Sequence, residues 1–334
     1  MKYLTKPCMF LVYMFILASC AKTKPTEIPV IENPWTQKAY MLSGRCGHAS
    51  VTINGKAYVM GGYFPYGYQN TVEVYSPINN AWSNVATMLG DRGDFAAVEL
   101  NGKAYIFGGE NNDPTILNTV EEFDETQWVQ KSPMPTSRKD LAASVVQGKA
   151  YIVGGYNGSY LSTVEEYNPY ADTVGGTPWI ARAPMPTVRG EFQTAVVNNK
   201  IYSLGGIYYD TLIGNYRFCT EVEEYDPVTN TWLSKQSMPS PRFNFAAVVI
   251  NSKIYVIGGR LSFTLDTCSV VMFDPVANSW SNKTSMPINN GDLAATVLVN
   301  KIYVTGGAHY DASYQYNGGW IYYYNFYIYD PALE

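Results

Sequence analysis

The chain has 334 residues and a formal net charge of −5, with 15% charged residues, 15% aromatic residues and 29 tyrosines. A chain of this length can bury a large core, and an aromatic-rich composition with few charges favours a β-rich protein. The acidic balance excludes the basic footprint of a nucleic-acid-binding protein, so we expect no nucleic-acid partner.

Residues 1–19 have the pattern of a signal peptide. Lys2 and Lys6 precede an apolar run of about eleven residues from Cys8 to Ala18, whereas a helix needs roughly twenty apolar residues to span a bilayer. We therefore predict a cleaved secretory leader rather than a permanent transmembrane helix.

The leader ends in the four residues Leu17-Ala18-Ser19-Cys20. They resemble the bacterial lipobox, in which the cysteine is lipidated and becomes the first residue of the mature protein; the alternative is an ordinary cleavage site after a small residue. The resemblance implies that Cys20 and a proline-containing tether, residues 20–33, attach the protein to the bacterial cell envelope, at the outer membrane or on a periplasmic or extracellular face. The protein would then contact the membrane through its lipid anchor alone.

Six double glycines, each preceded by a strand-like run, indicate an internal repeat. They stand at 61–62, 108–109, 154–155, 205–206, 258–259 and 306–307, with separations of 46 to 53 residues. A tryptophan precedes each pair by 26 residues, and a methionine follows each of these tryptophans after six residues. Six copies of one spacing predict one supersecondary unit repeated six times.

Four strands fit into each repeat. A small-residue strand a is followed by a short turn and by strand b, which runs into the double glycine; strand c ends near a Tyr-Asp-Pro, and strand d contains the tryptophan. Repeats of about 50 residues with these motifs resemble the kelch family, whose repeats form the blades of a β-propeller. The resemblance covers residues 33–331. It implies an all-β, six-bladed kelch propeller with four antiparallel strands per blade, forming a single domain over residues 34–334.

The repeat is out of phase at the two ends of this domain. Trp35 belongs to a strand d with no a, b or c before it, and residues 326–331 form a strand c with no d after it. We expect the strand around Trp35 to complete the sixth blade as its outer strand and to close the ring. A ring without free sheet edges favours a monomer.

Columns aligned on the repeated methionine separate blade structure from ligand binding. Four residues after the methionine stand Arg45, Arg92, Arg138, Arg189, Arg242 and Asn290. These arginines either bind a carboxylate ligand at the mouth or pair with glutamates of strand c as a brace repeated in the blades, and the sequence leaves both interpretations open. His48 stands in a column of Phe and Leu, which predicts a histidine packed in the core.

The loops between strands b and c differ in length from blade to blade, and we expect them on the same face as the d–a segments. Loops on a rigid scaffold usually carry binding, and exposed aromatic rings stack on sugars or grip peptide side chains. The stacking candidates are Tyr63, Tyr66, Tyr208, Tyr209, Tyr216, Tyr310 and Trp320, with His309 beside them. The candidates for anionic groups are Arg189, Arg217 and Arg260.

Motifs for catalysis are sparse. Galactose oxidase is a kelch enzyme whose copper site needs two His and two Tyr, but His48 and His309 are the only histidines here, and His48 is assigned to the core. We predict no metal and no cofactor.

The sialic acid mutarotases, or neuraminate epimerases, are six-bladed exported kelch proteins. That resemblance implies Arg189 with Glu191, or Arg217, as weak catalytic candidates, although the Gly-Glu…Arg stretch of that family has no clear counterpart after Gly206.

The domain that follows the tether contains three cysteines, namely Cys46, Cys219 and Cys268. An odd number excludes a fully paired disulfide framework, and a single bridge between Cys219 and Cys268 stays open.

The sequence as a whole predicts a cell-envelope binding module for a glycan or protein ligand rather than an enzyme. The alternative is a carbohydrate-active enzyme such as a sialic acid mutarotase.

Overall fold

Six four-stranded antiparallel sheets follow one another along the chain, one for each predicted repeat. The computed structural model describes residues 32–311, 313 and 319–334, so the predicted leader and Cys20 lie outside the described residues. Within these ranges, no helix has the length and the apolar character needed to cross a membrane. The all-β, six-bladed propeller predicted from the repeat is confirmed.

Each sheet is one blade, and its strands run a, b, c, d outward from the axis. Strands a of blades 1 to 6 are Ala49–Ile53, Ala96–Leu100, Ala142–Val146, Gln193–Val197, Ala246–Ile250 and Ala294–Leu298. Strands b are Lys56–Met60, Lys103–Phe107, Lys149–Val153, Lys200–Leu204, Lys253–Ile257 and Lys301–Thr305. Strands c are Val72–Ser76, Val120–Phe123, Val164–Tyr167, Val222–Asp226, Val270–Asp274 and Phe326–Tyr329. Strands d are Ala81–Asn84, Trp128–Lys131, Trp179–Arg182, Thr231–Ser234, Ser279–Lys283 and Trp35–Gln37.

Short elements decorate these blades. Four of the b–c loops form two-stranded hairpins, and the hairpin strands are Tyr63–Phe64 with Gly67–Tyr68, Ile207–Asp210 with Asn215–Phe218, Arg260–Ser262 with Leu265–Asp266, and Ala308–Tyr310 with Trp320–Tyr322. Two 3₁₀ turns follow strands c at Pro169–Ala171 and Pro331–Leu333. The hairpins make the b–c loops rigid enough to hold side chains in place.

The ring closes through the N-terminal strand, as predicted. Trp35–Gln37 pairs antiparallel with Phe326–Tyr329, and Trp35 stands opposite Tyr329. The Trp35 ring lies 4.8 Å from the Tyr329 ring, and its indole Nε1 donates to Thr284 O at 2.9 Å. The sixth blade is therefore built from both ends of the repeat region.

Tryptophan indoles link each blade to the preceding one. Besides Trp35, the donors are Trp82, Trp128, Trp179, Trp232 and Trp280, whose indole nitrogens reach Ala39, Ala86, Ser132, Ala183 and Gln236 carbonyls at 2.9 to 3.2 Å. The indole body packs in the apolar layer between two sheets while its N–H satisfies a backbone carbonyl of the neighbouring blade. This dual role accounts for the invariant spacing of the tryptophans.

The double glycines lie where neighbouring blades approach most closely. Gly154 and Gly155 have φ of 56° and 102°, which L residues with side chains rarely adopt. A Cβ on Gly154 would stand 2.8 Å from the backbone oxygen of Arg189 in the next blade. The chain must therefore carry glycine at this position for the blades to meet.

The core consists of apolar layers between adjacent sheets rather than one central cluster. Strands a contact one another around the axis, including strands a of blades 6 and 1. Small residues such as Ala96 and Ala142 line a narrow channel there, because larger side chains would clash where six blades converge. The fold thus fixes six loop clusters around one axis.

Candidate binding face

The b–c loops and the d–a segments share one face, as expected. In every blade a residue following the double glycine forms a backbone bridge with a residue of the d–a segment, and the six bridges are Cys46–Tyr63, Gly93–Glu110, Lys139–Tyr156, Gly190–Ile207, Phe243–Arg260 and Gly291–Ala308. We call this side of the propeller the loop-rich face, and the opening around the axis on it the mouth.

The arginine column braces the blades. Arg189 has no exposed surface; it contacts Glu223 at 2.5 Å, Ser203 Oγ at 2.7 Å and Gly205 O at 3.2 Å. Three further pairs repeat this contact, namely Arg45 with Glu73, Arg92 with Glu121, and Arg138 with Glu165. Of the two interpretations, the structure therefore supports the brace.

Arg189 consequently drops out as a ligand-binding or catalytic candidate. A ligand could reach its guanidinium only by unpacking strands b and c of blade 4, because the side chain is fully enclosed. Burial lowers the pKa of Arg189, and the charge of Glu223 opposes this shift. The sequence pattern could not decide this point because a repeated arginine suits both roles.

A ring of left-handed residues surrounds the axis at the mouth. We call it the axial ring, and its members are Gly47, Asp94, Asp140, Glu191, Asn244 and Asp292, with φ between 51° and 57°. Each backbone N–H donates to the carbonyl of the preceding member at 2.8 to 3.2 Å, and Gly47 closes the circle by donating to Asp292. Six blades thus share one continuous hydrogen-bonded ring.

Four members of the axial ring, Asp94, Asp140, Glu191 and Asp292, are acidic, so carboxyl groups crowd the mouth. Their side chains line a cavity of about 370 Å³ whose walls include Cys46, Tyr63, Tyr68 and Lys139. Burial, together with the charge of Asp292, raises the pKa of Asp94 and of Glu191 to about 7. Burial also raises the pKa of Asp140, and the charge of Asp94 adds to that shift. Burial raises the pKa of Asp292 as well, but the charge of Arg260 opposes the shift there. The carboxylates are crowded enough to hold protons near neutral pH.

A network on one side of the mouth ties the ring to loops of blades 1, 2 and 3. Lys139 Nζ lies 2.6 Å from Glu110, and the Tyr68 hydroxyl donates to Glu110 at 2.9 Å and to Asp94 at 3.5 Å. These residues were not among the candidates from the sequence. The sequence did carry a signal for the ring, because Asp, Asn, Glu or Gly recurs two residues after the arginine column. Glycine adopts left-handed backbone freely, and Asp and Asn adopt it more readily than most other residues.

A second cluster joins blades 5 and 6. Asp266 accepts from His309 Nδ1 at 2.8 Å and from the Tyr310 backbone N–H at 3.1 Å, and Arg260 Nε lies 3.3 Å from it. Arg260 also pairs with Asp292, and its guanidinium lies 4.2 Å from the Trp320 ring centroid. The structure thus brings four predicted site residues together, with Arg260 held by two carboxylates.

The remaining candidates lie on the outer hairpins. Tyr208 pairs with Arg217 and Tyr209 with Tyr216 across the blade 4 hairpin, and Arg217 Nε donates to Asp210 at 3.0 Å. Tyr66 is almost fully exposed on blade 1, whereas Tyr63 packs against Tyr68 and Tyr322. All three arginines predicted to bind anions therefore already have a carboxylate partner.

The chemistry visible in the described residues is limited. His48 is buried and bonded through Nε2 to Thr305 Oγ at 3.0 Å, and burial with the charge of Arg45 lowers its pKa to about 3, in keeping with the predicted core histidine. Cys46, Cys219 and Cys268 are free thiols, so the bridge between Cys219 and Cys268 that the sequence left open is absent. No group of three or more His, Cys, Asp or Glu suited to a metal occurs in the described ranges.

The chain matches models of kelch-repeat proteins. The KLHDC2/KLHL20/DRC7 Kelch-repeats domain covers residues 47–259, and the Kelch motif covers residues 241–287. The first match spans more than half of the chain, and the fold has the six blades and four strands per blade of this class. The protein therefore belongs to the kelch-repeat family.

Individual relatives share only part of their length with this chain. An F-box/kelch-repeat protein of Arabidopsis thaliana is 34% identical over 109 residues, 33% of this chain and 27% of the plant protein. Kelch-like protein 28 of Homo sapiens is 35% identical over 101 residues, covering 30% and 17% of the two chains. Alpha-scruin of Limulus polyphemus is 35% identical over 88 residues, covering 26% and 9%. The chain therefore spans less than a third of these relatives, and their similarity concerns the repeats.

Proposed function

We propose that the loop-rich face is a protein-binding site and that its mouth takes a lysine or arginine side chain of the partner. The observation that carries this proposal is the axial ring, whose four carboxylates surround one cavity with aromatic walls. A cationic group placed there would gain charge-assisted hydrogen bonds and would relieve the repulsion among the carboxylates.

An apolar surface on the loop-rich face supports a protein partner. Tyr209, Tyr216, Phe263 and Leu265 are each 40 to 53% exposed on the hairpins of blades 4 and 5. Ring contacts of 5.1 to 5.2 Å join Tyr209 to Tyr216 and Tyr216 to Phe263. Contiguous exposed apolar side chains with a polar surround mark interaction surfaces. A partner segment that carries a cation next to apolar residues would match both features.

Two labelled peptides of equal length test this proposal, one with lysine and arginine among aromatic residues and the other with glutamine in place of each cation. Fluorescence anisotropy with the full chain should show tighter binding of the cationic peptide. The double variant Asp140→Asn/Glu191→Gln should weaken that binding at least tenfold because it removes two carboxyl groups that ionise beside a bound cation and keeps the side-chain shapes.

The matched control is Asp226→Asn, which removes an acid at the end of strand c in blade 4, outside the mouth. This variant should leave the affinity unchanged. Equal affinity for the two peptides, no binding of either at millimolar concentration, or binding that the double variant leaves intact would contradict the proposal.

A neutral glycan is the second candidate ligand. Tyr66 on blade 1 and Tyr209 on blade 4 expose their rings, and exposed aromatic faces stack on sugar rings. Acidic sugars fit less well, because Arg217 and Arg260 are paired with carboxylates and Arg189 is enclosed. Titration with neutral oligosaccharides, observed as chemical-shift changes that Tyr209→Ala abolishes, would favour this candidate over the peptide.

The sialic acid mutarotase alternative finds little support in the geometry. That reaction needs an acid or base near the anomeric oxygen and a cation for the sugar carboxylate. Glu191 lies in an acidic mouth, and Arg189 is out of reach behind it. Exchange between anomers of free sialic acid, followed by proton NMR with and without the protein, tests the alternative directly; unchanged exchange rates are the expected result.

The envelope anchor also belongs to the proposal. We propose that Cys20, outside the described residues, is lipidated and holds the propeller, beginning at residue 34, on the bacterial cell envelope through the tether 20–33. The basis is the Leu17-Ala18-Ser19-Cys20 sequence after an apolar leader. Labelling with a fatty-acid analogue should mark the wild type and not Cys20→Ala, and labelling of both would count against the anchor.

A further inference from the structure

We propose that blade 5 contains a binding site for a small monovalent anion such as chloride, formed by Arg242, Ser240 and Ser269. The inference starts from a difference between blades. Arg45, Arg92, Arg138 and Arg189 each face a glutamate of their own strand c. In blade 5 the same position of strand c is Val271.

Arg242 is nevertheless as enclosed as its counterparts. It is only 1% exposed, and its Nη1 donates to Gly258 O at 3.1 Å and to Ser269 O at 3.3 Å. Among the described residues it has no carboxylate within ion-pair distance. A buried cation without a counter-charge is unfavourable, and burial alone accordingly lowers the pKa of Arg242 to about 10.

Hydroxyl donors stand where the missing carboxylate would be held. In blades 3 and 4 the threonine two residues after the methionine donates to the brace glutamate, Thr136 to Glu165 at 2.6 Å and Thr187 to Glu223 at 2.8 Å. The equivalent residue in blade 5 is Ser240, whose Oγ lies 3.3 Å from Arg242 Nη2.

Ser269 adds a second hydroxyl, 3.0 Å from the same guanidinium nitrogen. In blade 5 Arg242 Nη2 therefore meets two serine hydroxyl groups, whereas Nη2 of the equivalent arginine contacts a carboxylate in four other blades. The Val271 side chain ends before the position that the carboxylate of glutamate reaches in the other blades. Ser240 and Ser269 are only half-buried. A chloride-sized anion could enter past them and complete the brace.

Anion-dependent unfolding of the full chain tests this site. The melting temperature of the wild type should be higher by a few degrees in sodium chloride than in sodium gluconate of equal ionic strength, because chloride binds the folded state and gluconate is too large. Val271→Glu should supply the counter-charge within the chain, raise the melting temperature in gluconate, and abolish the difference between the two salts.

Val271→Gln is the matched control, because it fills the same space without the charge. It should also abolish the difference between the salts but should not stabilise the protein as glutamate does. Crystals soaked in sodium bromide add a readout independent of stability: the wild type should show an anomalous peak within about 4 Å of Arg242. Equal melting in both salts, or a peak that persists in Val271→Glu, would overturn the proposal.

Discussion

At the scale of single residues, buried ion pairs within the blades and the axial ring at the mouth are the main polar features of the molecule. The braces join a d–a segment to strands b and c of the same blade, and they lie where water is excluded. Buried pairs of this kind are weak evidence for net stabilisation, but removal of one partner leaves an uncompensated charge. The arginine and the glutamate are therefore expected to be tolerated only together.

Glu223→Gln tests the brace in blade 4. The substitution keeps the volume of the side chain and leaves Arg189 without its counter-charge, so we expect a loss of about 3 to 5 kcal/mol in the free energy of unfolding. Urea denaturation measures it. Asp274→Asn is a carboxylate-to-amide change at the end of strand c in blade 5, where the partly exposed side chain accepts from Val276 N–H and pairs with Lys253. It should change the midpoint far less than Glu223→Gln; equal effects of the two variants would argue against the brace.

The axial ring predicts a characteristic pH dependence. Asp94 and Glu191 have a pKa of about 7 in the folded state, above the values near 4 expected for the unfolded chain. The folded state therefore binds more protons between these limits, and stability falls as the pH rises through them. His48 has the opposite effect because its folded pKa is about 3, and the unfolded histidine, with a pKa near 6.5, is still half-protonated at pH 6.5.

Between pH 6.5 and 8 the two ring carboxyl groups outweigh the single histidine, and His48 contributes equally to the wild type and to Asp140→Asn. We expect the melting temperature of the wild type to fall across this window and the slope to be smaller in Asp140→Asn, which removes one of the repelling charges next to Asp94. Differential scanning calorimetry at several pH values measures both slopes. A melting temperature that rises across the window, or identical slopes in the two proteins, would show that the ring carboxylates ionise freely.

At the scale of elements, the hairpins present side chains and the blades hold them. Tyr209 projects from the blade 4 hairpin and contacts Tyr216, whereas Tyr225 in strand c of the same blade is fully buried beside Trp232. The two tyrosines thus separate surface recognition from blade packing within one repeat.

Tyr209→Ala should change the free energy of unfolding by no more than about 0.5 kcal/mol, while Tyr225→Ala should lower it by about 3 to 5 kcal/mol through the cavity it creates. Chemical denaturation of both variants under the same conditions measures the difference. A loss in Tyr209→Ala comparable to that in Tyr225→Ala would mean that the hairpin is part of the packed structure and not a recognition surface.

The closing strand Trp35–Gln37 is the element that holds blade 6 together. Trp35→Ala removes a buried ring and its hydrogen bond to Thr284, and we expect a loss of about 3 to 5 kcal/mol. Trp35→Phe keeps most of the packing and loses the N–H donor, so its effect should be nearer 1 kcal/mol. Chemical unfolding followed by far-ultraviolet circular dichroism measures both losses. A free energy of unfolding in Trp35→Ala equal to that of the wild type would contradict closure through this strand.

At the scale of the whole molecule, the sequence pattern was sufficient for the architecture. Invariant spacing among glycine, tryptophan and methionine placed every blade and the closing strand, because each repeat buries the same side chains at the same seams. It was not sufficient for the mouth. The pairs Arg260 with Asp292 and His309 with Asp266 join different blades, and no periodic spacing encodes contacts between loops of unequal length.

The polarity of the mouth shows the same limit. The column that contains five arginines and the column that contains four acidic residues stand two residues apart in every repeat, and the backbone turns between them. Arginine points into the blade while the next acidic residue, in left-handed conformation, points towards the axis. The sequence left open whether the arginines line the mouth, whereas in the structure four carboxyl groups are among the residues that line it.

A thermal-shift screen of the full chain against basic peptides, acidic peptides, neutral sugars, uronic acids and sialic acid tests most directly whether the mouth binds a cationic partner. A ligand at a hundred times its dissociation constant adds about 2.7 kcal/mol to the stability, which is a shift of several degrees for a domain of this size. We expect basic peptides to stabilise the wild type and Asp140→Asn/Glu191→Gln to lose that stabilisation. Stabilisation by sialic acid or acidic peptides, retained in that double variant, would contradict this expectation.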